Sequence, residues 1–353
     1  MVSHRKIGDA LDACYRTAEA LASYRAALAL AEPLSAIAPQ NEQLPQDLVY
    51  LHRRVSPLLR RSGEGAEALN HDHQAWAILG SLRAKSSMNE LENHSLASVN
   101  RASLGDQLRE AGDLAGALAY HQRMLALAEA KLAKKPGDAM TRRVLGETQT
   151  TIGDLLVEMK RFDSAREHYR RALAVFAALS AQDPMSVRDR LYLSNSHRRI
   201  AQTLKEDGDR AGAIRRLRRA LAVDESLAAR NPDYLPVQSC LAGDFKGLAD
   251  LLATDGDLAG ATENYHQALV LIEAIVTRDP SNHYQRLRLS WAHSGLAGAL
   301  RRSGRVGEAL DQYRRALGLA ETVAAKDPAN LKARQAMADY QSRVGECLAE
   351  LGK

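Results

Sequence analysis

The sequence predicts an all-α fold made of repeated antiparallel helix pairs, and three observations predict it. The chain of 353 residues is 45% hydrophobic, 5% aromatic and 26% charged, with Ala and Leu throughout, a mix that favours helix over strand. The hexapeptide GDLAGA occurs at 112–117 and again at 256–261, with GDRAGA at 208–213, so the copies lie on a ruler of 48 residues. Between these copies the apolar residues recur at helical spacing, in two runs separated by a Gly-Asp turn.

The ruler organises nearly the whole chain. Gly63, Gly112, Gly208, Gly256, Gly304 and Gly352 fall on its turn slots, while Tyr15 and Lys160 fill two others. Five residues after each slot stand Ala20, Ala68, Ala117, Ala165, Ala213, Ala261 and Ala309. Four residues before each slot stand Leu11, Leu59, Leu108, Leu156, Leu204, Leu252, Leu300 and Leu348. Three residues before that Leu is a small residue: Gly8, Ser56, Gly105, Gly153, Ala201, Ala249, Ala297 or Gly345. An aliphatic residue, from Ile7 to Val344, precedes each of these. Pro39, Pro136, Pro184, Pro232, Pro280 and Pro328 keep the same period, with Ser87 in the remaining slot, and one extra residue lies between Ala68 and Leu104.

The stretch from Arg188 to Pro232 shows what one unit is. Leu193, Ile200, Ala201 and Leu204 form one helical stripe; Ala213, Leu217, Ala220, Leu221 and Leu227 form a second. Gly208 between them supplies a left-handed turn, Asp209 can cap the second helix, and Asn231-Pro232 ends it. The repeats run over about 1–39, 40–87, 88–136, 137–184, 185–232, 233–280 and 281–328, with a terminal capping helix over 329–353. The first helix starts short, as for the C-terminal part of something longer or a start inside an array. A single solenoid over 1–353, each repeat touching its neighbours and stability nearly additive along the array, is expected.

Counted from the small residue, Leu follows at three, Gly at seven, Ala at twelve, Tyr at sixteen and Ala at nineteen. Ala249, Leu252, Gly256, Ala261, Tyr265 and Ala268 fit every position, as do Ala297, Leu300, Gly304, Ala309, Tyr313 and Ala316. This pattern resembles the tetratricopeptide repeat, whose period is about 34 residues. The resemblance implies a right-handed superhelical solenoid with a concave, peptide-holding groove lined by the first helix of each pair. The longer period places about seven extra residues on each helix, at the end far from the turn. They carry apolar residues in register: Leu145, Leu193, Leu241, Leu289 and Met337 on first helices, and Leu34, Leu82, Leu179, Leu227, Ile275 and Val323 on second helices. Long repeats with joints such as Asp279-Pro280-Ser281-Asn282 also resemble C-terminal regions of bacterial Ser/Thr protein kinases and other signalling proteins. The chain has no kinase signature of its own, so kinase activity would need an upstream domain.

Other chemistry finds little support. The formal charge of +5 permits an acidic partner without demanding nucleic acid, and scarce aromatics count against nucleic-acid binding. Cys14, Cys240 and Cys347 are far apart and form no CxxC pair, so the chain reads as cytoplasmic without a disulfide framework. No run is apolar enough to span a membrane, and the N-terminus lacks a signal core. The imidazoles of His71-Asp72-His73 diverge on a helix, which points to a structural or solvent role. His4, His52, His197 and His293 share one column, four before the small residue, and read as half-buried packing. No nucleophile–base set is marked, and the Gly-Asp turns lack the Lys-Ser/Thr of a phosphate loop. The reading is therefore non-catalytic, with no cofactor and no metal. Arg170-Arg171, Arg218-Arg219 and Arg314-Arg315 read as a solvated outer face, or secondarily as an acidic-partner patch.

The groove implied by the resemblance is read from the first helices, at six and three before and one and four after the small residue. One unit supplies Asn195, Arg198, Gln202 and Lys205; the next Gly243, Lys246, Asp250 and Ala253; the next Trp291, Ser294, Gly298 and Arg301. Among these, Asn195, Arg198, Gln202, Lys205, Lys246, Trp291 and Arg301 are the candidate partner-binding residues, a basic and polar lining with one exposed Trp suited to an acidic or extended segment. Family members that bind chaperone tails carry Asn one residue after the small residue. Here that column reads Asp9, Pro57, Asp106, Asp154, Gln202, Asp250, Gly298 and Glu346, so that activity is not expected. The expected function is a scaffold that binds a protein or peptide in the groove. A docking region of a signalling kinase is the alternative, and nucleic-acid binding a weaker one.

Overall fold

A computed structural model describes residues 1–78, apart from 39, 42, 69, 72, 73 and 76, and residues 104–352, apart from 111. The repeat joints at Pro39 and Ser87, Leu82, the Asp72-His73 pair and the extra residue before Leu104 lie outside the described residues. Among the described residues the fold is all-α, with helices packed in chain order as tetratricopeptide-like pairs. The helices are α1 (Val2–Ala13), α2 (Thr17–Ile37), α3 (Gln43–Ser62), α4 (Leu104–Glu110), α5 (Leu114–Lys134), α6 (Ala139–Glu158) and α7 (Phe162–Gln182). Then come α8 (Val187–Glu206), α9 (Arg210–Arg230), α10 (Leu235–Asp255), α11 (Leu258–Arg278), α12 (His283–Arg302), α13 (Val306–Lys326) and α14 (Leu331–Glu350). From α5 onward each helix has 20 or 21 residues, about 30 Å, which accommodates the long period. Helix α1 has only 12.

The chain forms two compact units, residues 85–231 and residues 1–84 with 232–353. In the first, α4 pairs with α5, α6 with α7 and α8 with α9, and the pairs meet through α5–α6 and α7–α8 contacts. In the second, α10 pairs with α11, α12 with α13, and α14 closes on α13; α1 pairs with α2, which packs on α3. This unit departs from the expectation of contacts between sequence neighbours alone. Thr17 at the start of α2 donates its hydroxyl to the buried Asp279 carboxylate at the end of α11 (2.5 Å), across 262 residues. Helix α3 also touches α12, where a Cβ on Gly63 would meet the His283 ring.

The elbow between paired helices is the repeated local structure. All six ruler glycines have positive φ, from +69° at Gly352 to +95° at Gly256. Tyr15 and Lys160, in the two slots without glycine, take the same left-handed backbone, with φ of 57° and 58°. The geometry is thus imposed by helix packing even where the residue disfavours it. In GDLAGA and GDRAGA the Asp caps the following helix: Asp113, Asp209 and Asp257 accept from Gly116, Gly212 and Gly260 backbone N–H at 2.8–2.9 Å. A Cβ on any of these second glycines would collide with the capping carboxylate, which explains the second Gly of the motif. Where Arg replaces the Asp, at Arg16, Arg161 and Arg305, no side chain caps the helix.

The Ala column lies at the helix–helix contact. All seven of its residues, from Ala20 to Ala309, are completely buried. Three of the added apolar positions on second helices, Leu227, Ile275 and Val323, are at most 2% exposed, so the extra length extends the core. Leu34 on α2 is the exception and is exposed. Ile7 of the aliphatic column is likewise exposed on the short α1, whereas Val55, Ile152, Ile200, Leu248 and Leu296 are buried.

Replacing Lys160 by Gly should stabilise the protein by about 1 kcal/mol, because an L-residue in left-handed backbone costs about 1–2 kcal/mol. Gly208→Ala should move stability the other way by a similar amount. Urea unfolding followed by circular dichroism reads both as opposite shifts of the midpoint.

Candidate functional site

Inside the pairs, two polar contacts recur on the 48-residue ruler. The first joins the Tyr column to the residue after the small position. Tyr24 donates to Asp9 (2.6 Å), Tyr169 to Asp154 (2.7 Å) and Tyr265 to Asp250 (2.6 Å). Burial and the adjacent carboxylates push these phenols above their usual range, so they stay protonated donors. The second contact joins residues 19 apart: His52 to His71 (2.8 Å), Gln149 to His168 (2.6 Å) and His293 to Gln312 (2.7 Å). The shared His column is therefore interhelical packing at His52 and His293, while His4 on α1 is exposed. Burial lowers the His52 imidazole to about 4, and the neighbouring His71 adds to this. Among the described residues no three His, Cys, Asp or Glu side chains converge on a point where a metal ion could sit.

The Tyr–Asp contact was missed in the sequence, although a signal existed. Tyr24, Tyr169 and Tyr265 each have Asp in the matching position, whereas Leu217 is matched by Gln202 and Tyr313 by Gly298. At Asp9, Asp154 and Asp250 the column read for an absent carboxylate-binding Asn is the acceptor that ties the two helices of the pair together.

On the first helices, the stripe proposed to line a groove is cross-linked by ion pairs. In the 85–231 unit Arg109 meets Glu158 (2.8 Å) and Arg199 meets Asp154 (3.0 Å). In the other unit Arg301 bridges Glu346 and Glu350, and these paired carboxylates hold its guanidinium charged well above its ordinary range. Arg198 points to the fully buried Asp224 on α9 (2.7 Å), and Lys246 to Asp250 (2.8 Å). Gln202 donates to Glu206 (2.7 Å) and is exposed, as is Lys205; Asn195 is half-buried. Trp291 is half-buried too, set edge-on to Tyr284 and packed against apolar clusters that include Leu287, Val323, Ala316 and Tyr340. The structure thus groups Asn195, Arg198, Gln202 and Lys205 along α8 in one unit. It places Lys246, Trp291 and Arg301 on α10 and α12 in the other.

Ion pairing makes this surface less basic than its residue content suggests. Arg198 and Arg301 are held by carboxylates of neighbouring helices and Lys246 by Asp250 of its own, with Lys205 the clearest exposed charge. The arrangement offers ordered hydrogen-bond donors and acceptors along a helix face.

Comparison with known proteins agrees with the repeat reading. Residues 146–177, covering most of α6 and α7, match the tetratricopeptide repeat family profile. No curated protein matches the chain. Solved structures similar to it include the MamA protein, at 17% identity with a TM-score of 0.40, covering 63% of this chain and 98% of that one. Another is BtubC (BKLC) from P. vanneervenii, at 18% identity with a TM-score of 0.45, covering 68% and 92%. A thermophilic tetratricopeptide-repeat protein of Thermus thermophilus is 22% identical with a TM-score of 0.36, covering 72% and 98%.

The buried imidazoles give a pH dependence of defined sign. The unfolded chain binds protons near pH 6.5, while folded His52 and His197 resist them until about 4. Their contribution is therefore complete above 6.5 and is lost as pH falls through that window. Denaturant unfolding at pH 7 and pH 5 should show lower stability at pH 5, with a smaller drop in His52→Asn than in the wild type.

Proposed function

We propose that the chain is a non-catalytic scaffold that binds an extended segment of another protein along the first-helix stripe. One observation carries this reading: on α8 the stripe keeps polar side chains accessible beside buried Ser194, Ser196, His197, Ile200 and Ala201. Small and Leu positions face the partner helix, yet Gln202 and Lys205 remain exposed and Asn195 and Lys246 half-exposed. Ordered donors on rigid helices bind an extended backbone with little loss of side-chain entropy. Tetratricopeptide repeats are in general protein-interaction elements, which agrees with this reading. Cys14, Cys240 and Cys347 form no disulfide, in keeping with a cytoplasmic setting, and no described helix is long and apolar enough to cross a membrane. A docking role within a bacterial signalling protein is the narrower form of the same reading, supported by the Asp-Pro-x-Asn joints at 279–282 and 327–330.

The structure also sharpens the choice of variants. Arg198→Ala would strand the buried Asp224, and Trp291→Ala would open the α12–α13–α14 packing, so both confound binding with stability. Gln202→Ala with Lys205→Glu removes exposed groups. Crosslinking capture from the native host should lose its main partner with this double variant, at an unchanged thermal midpoint. Equal capture by wild type and variant would reject the site on α8.

A further inference from the structure

The α8–α9 pair departs from its sisters at four matched positions. Leu217 stands where Tyr169, Tyr265 and Tyr313 stand, and Gln202 replaces the Asp that accepts from the Tyr. Arg215 occupies the place of Glu167, Glu263 and Asp311. Arg216 occupies the place of His168 and Gln312, the partners of the buried first-helix side chain. The run Arg215-Arg216-Leu217-Arg218-Arg219 is the result.

Each substitution has a physical consequence. On α7, Arg171 pairs with Glu167 one turn earlier (3.2 Å). On α9 the same positions hold Arg219 and Arg215, so an attractive i,i+4 pair becomes a repulsive one. Among the described residues none of Arg215, Arg216, Arg218 or Arg219 pairs with a carboxylate. Arg216 is half-buried, and its guanidinium is lowered by burial and then by Arg219, Arg170 and Arg215, so four cations crowd one place. His197, 8% exposed, belongs to the column whose members bond across the pair at His52 and His293, yet its Nδ1 has no partner. A guanidinium can only donate, so Arg216 cannot replace the acceptor that Gln312 supplies to His293.

We propose that the face formed by Arg215, Arg216 and Arg219 of α9 with Arg170 of α7 binds an acidic segment of a partner protein. Its carboxylates take the places that Glu or Asp holds on the sister helices. Elsewhere in this unit the half-buried Arg143 and Arg166 each reach a carboxylate of the adjacent pair, Asp189 (2.6 Å) and Asp207 respectively. Among the described residues Arg215, Arg216 and Arg219 have no such complement, and Arg170 reaches only Glu167 of its own helix, at 4.0 Å. A nucleic acid fits less well: the Tyr column is Leu217 here and Tyr169 is buried against Asp154, which leaves no ring on which a base could stack. This surface lies on second helices and is independent of the first-helix stripe, so either can fail without the other.

The test is fluorescence anisotropy of the full chain with labelled octaglutamate at about 50 mM salt. Arg215→Glu with Arg216→Gln rebuilds the sister pattern, giving Arg219 an i,i+4 partner and His197 an acceptor. This variant should keep or raise the thermal midpoint while affinity for octaglutamate falls about tenfold or more. Arg170→Gln, an exposed change, should weaken binding without touching the α8–α9 pair. The matched control Arg314→Gln with Arg315→Gln on α13 should bind like the wild type. The proposal is overturned if the wild type does not bind octaglutamate, or if the α9 variant binds as the wild type does. It is also overturned if the α13 control loses affinity equally, or if an oligothymidylate of equal charge binds as tightly as octaglutamate.

Discussion

The structure depends on the close approach of two helices at one methyl group. All seven residues of the Ala column are completely buried. Everything nearby follows from that distance. The elbow must reverse the chain within a few residues, so its backbone turns left-handed even at Tyr15 and Lys160. Interiors are close-packed, and a fixed separation at one level fixes side-chain sizes at the levels above and below. The Tyr ring beside a small residue and the apolar stripe of the added turns are both answers to it.

That separation also brings polar groups into register. Tyr–Asp and His–Gln contacts recur at 15 and 19 residues because each pair repeats one geometry. Burial makes such contacts demanding: an unpaired polar group inside the pair destabilises it by more than the bond itself contributes. A repeat that breaks the pattern is therefore informative. The α8–α9 pair drops both polar contacts and substitutes Arg215 and Arg216, which pair with no carboxylate among the described residues. That departure is the ground for the proposed acidic-segment surface.

The sequence made the helix pairs legible because their determinants are local and periodic. Gly208, Asp209, Ala213 and the Asn231-Pro232 stop lie within one unit, and their meaning follows from backbone preferences. The candidate surface was legible as a stripe, since helical geometry alone selects Asn195, Arg198, Gln202 and Lys205. Its charge state was not. Whether Arg198 or Arg301 is available depends on Asp224, Glu346 and Glu350, which come from other helices.

By itself, then, the sequence determined the period, the pairing of helices and the position of each elbow, all set by short-range sterics and apolar spacing. Only the tertiary structure decided which charges are spent on neighbours, where Trp291 packs, and that Thr17 reaches Asp279 across 262 residues. Those outcomes rest on distances between different helices, some consecutive, as at Arg198–Asp224, and some far apart in the chain, as at Thr17–Asp279. No local pattern encodes such distances, because each is set by the packing of many residues at once.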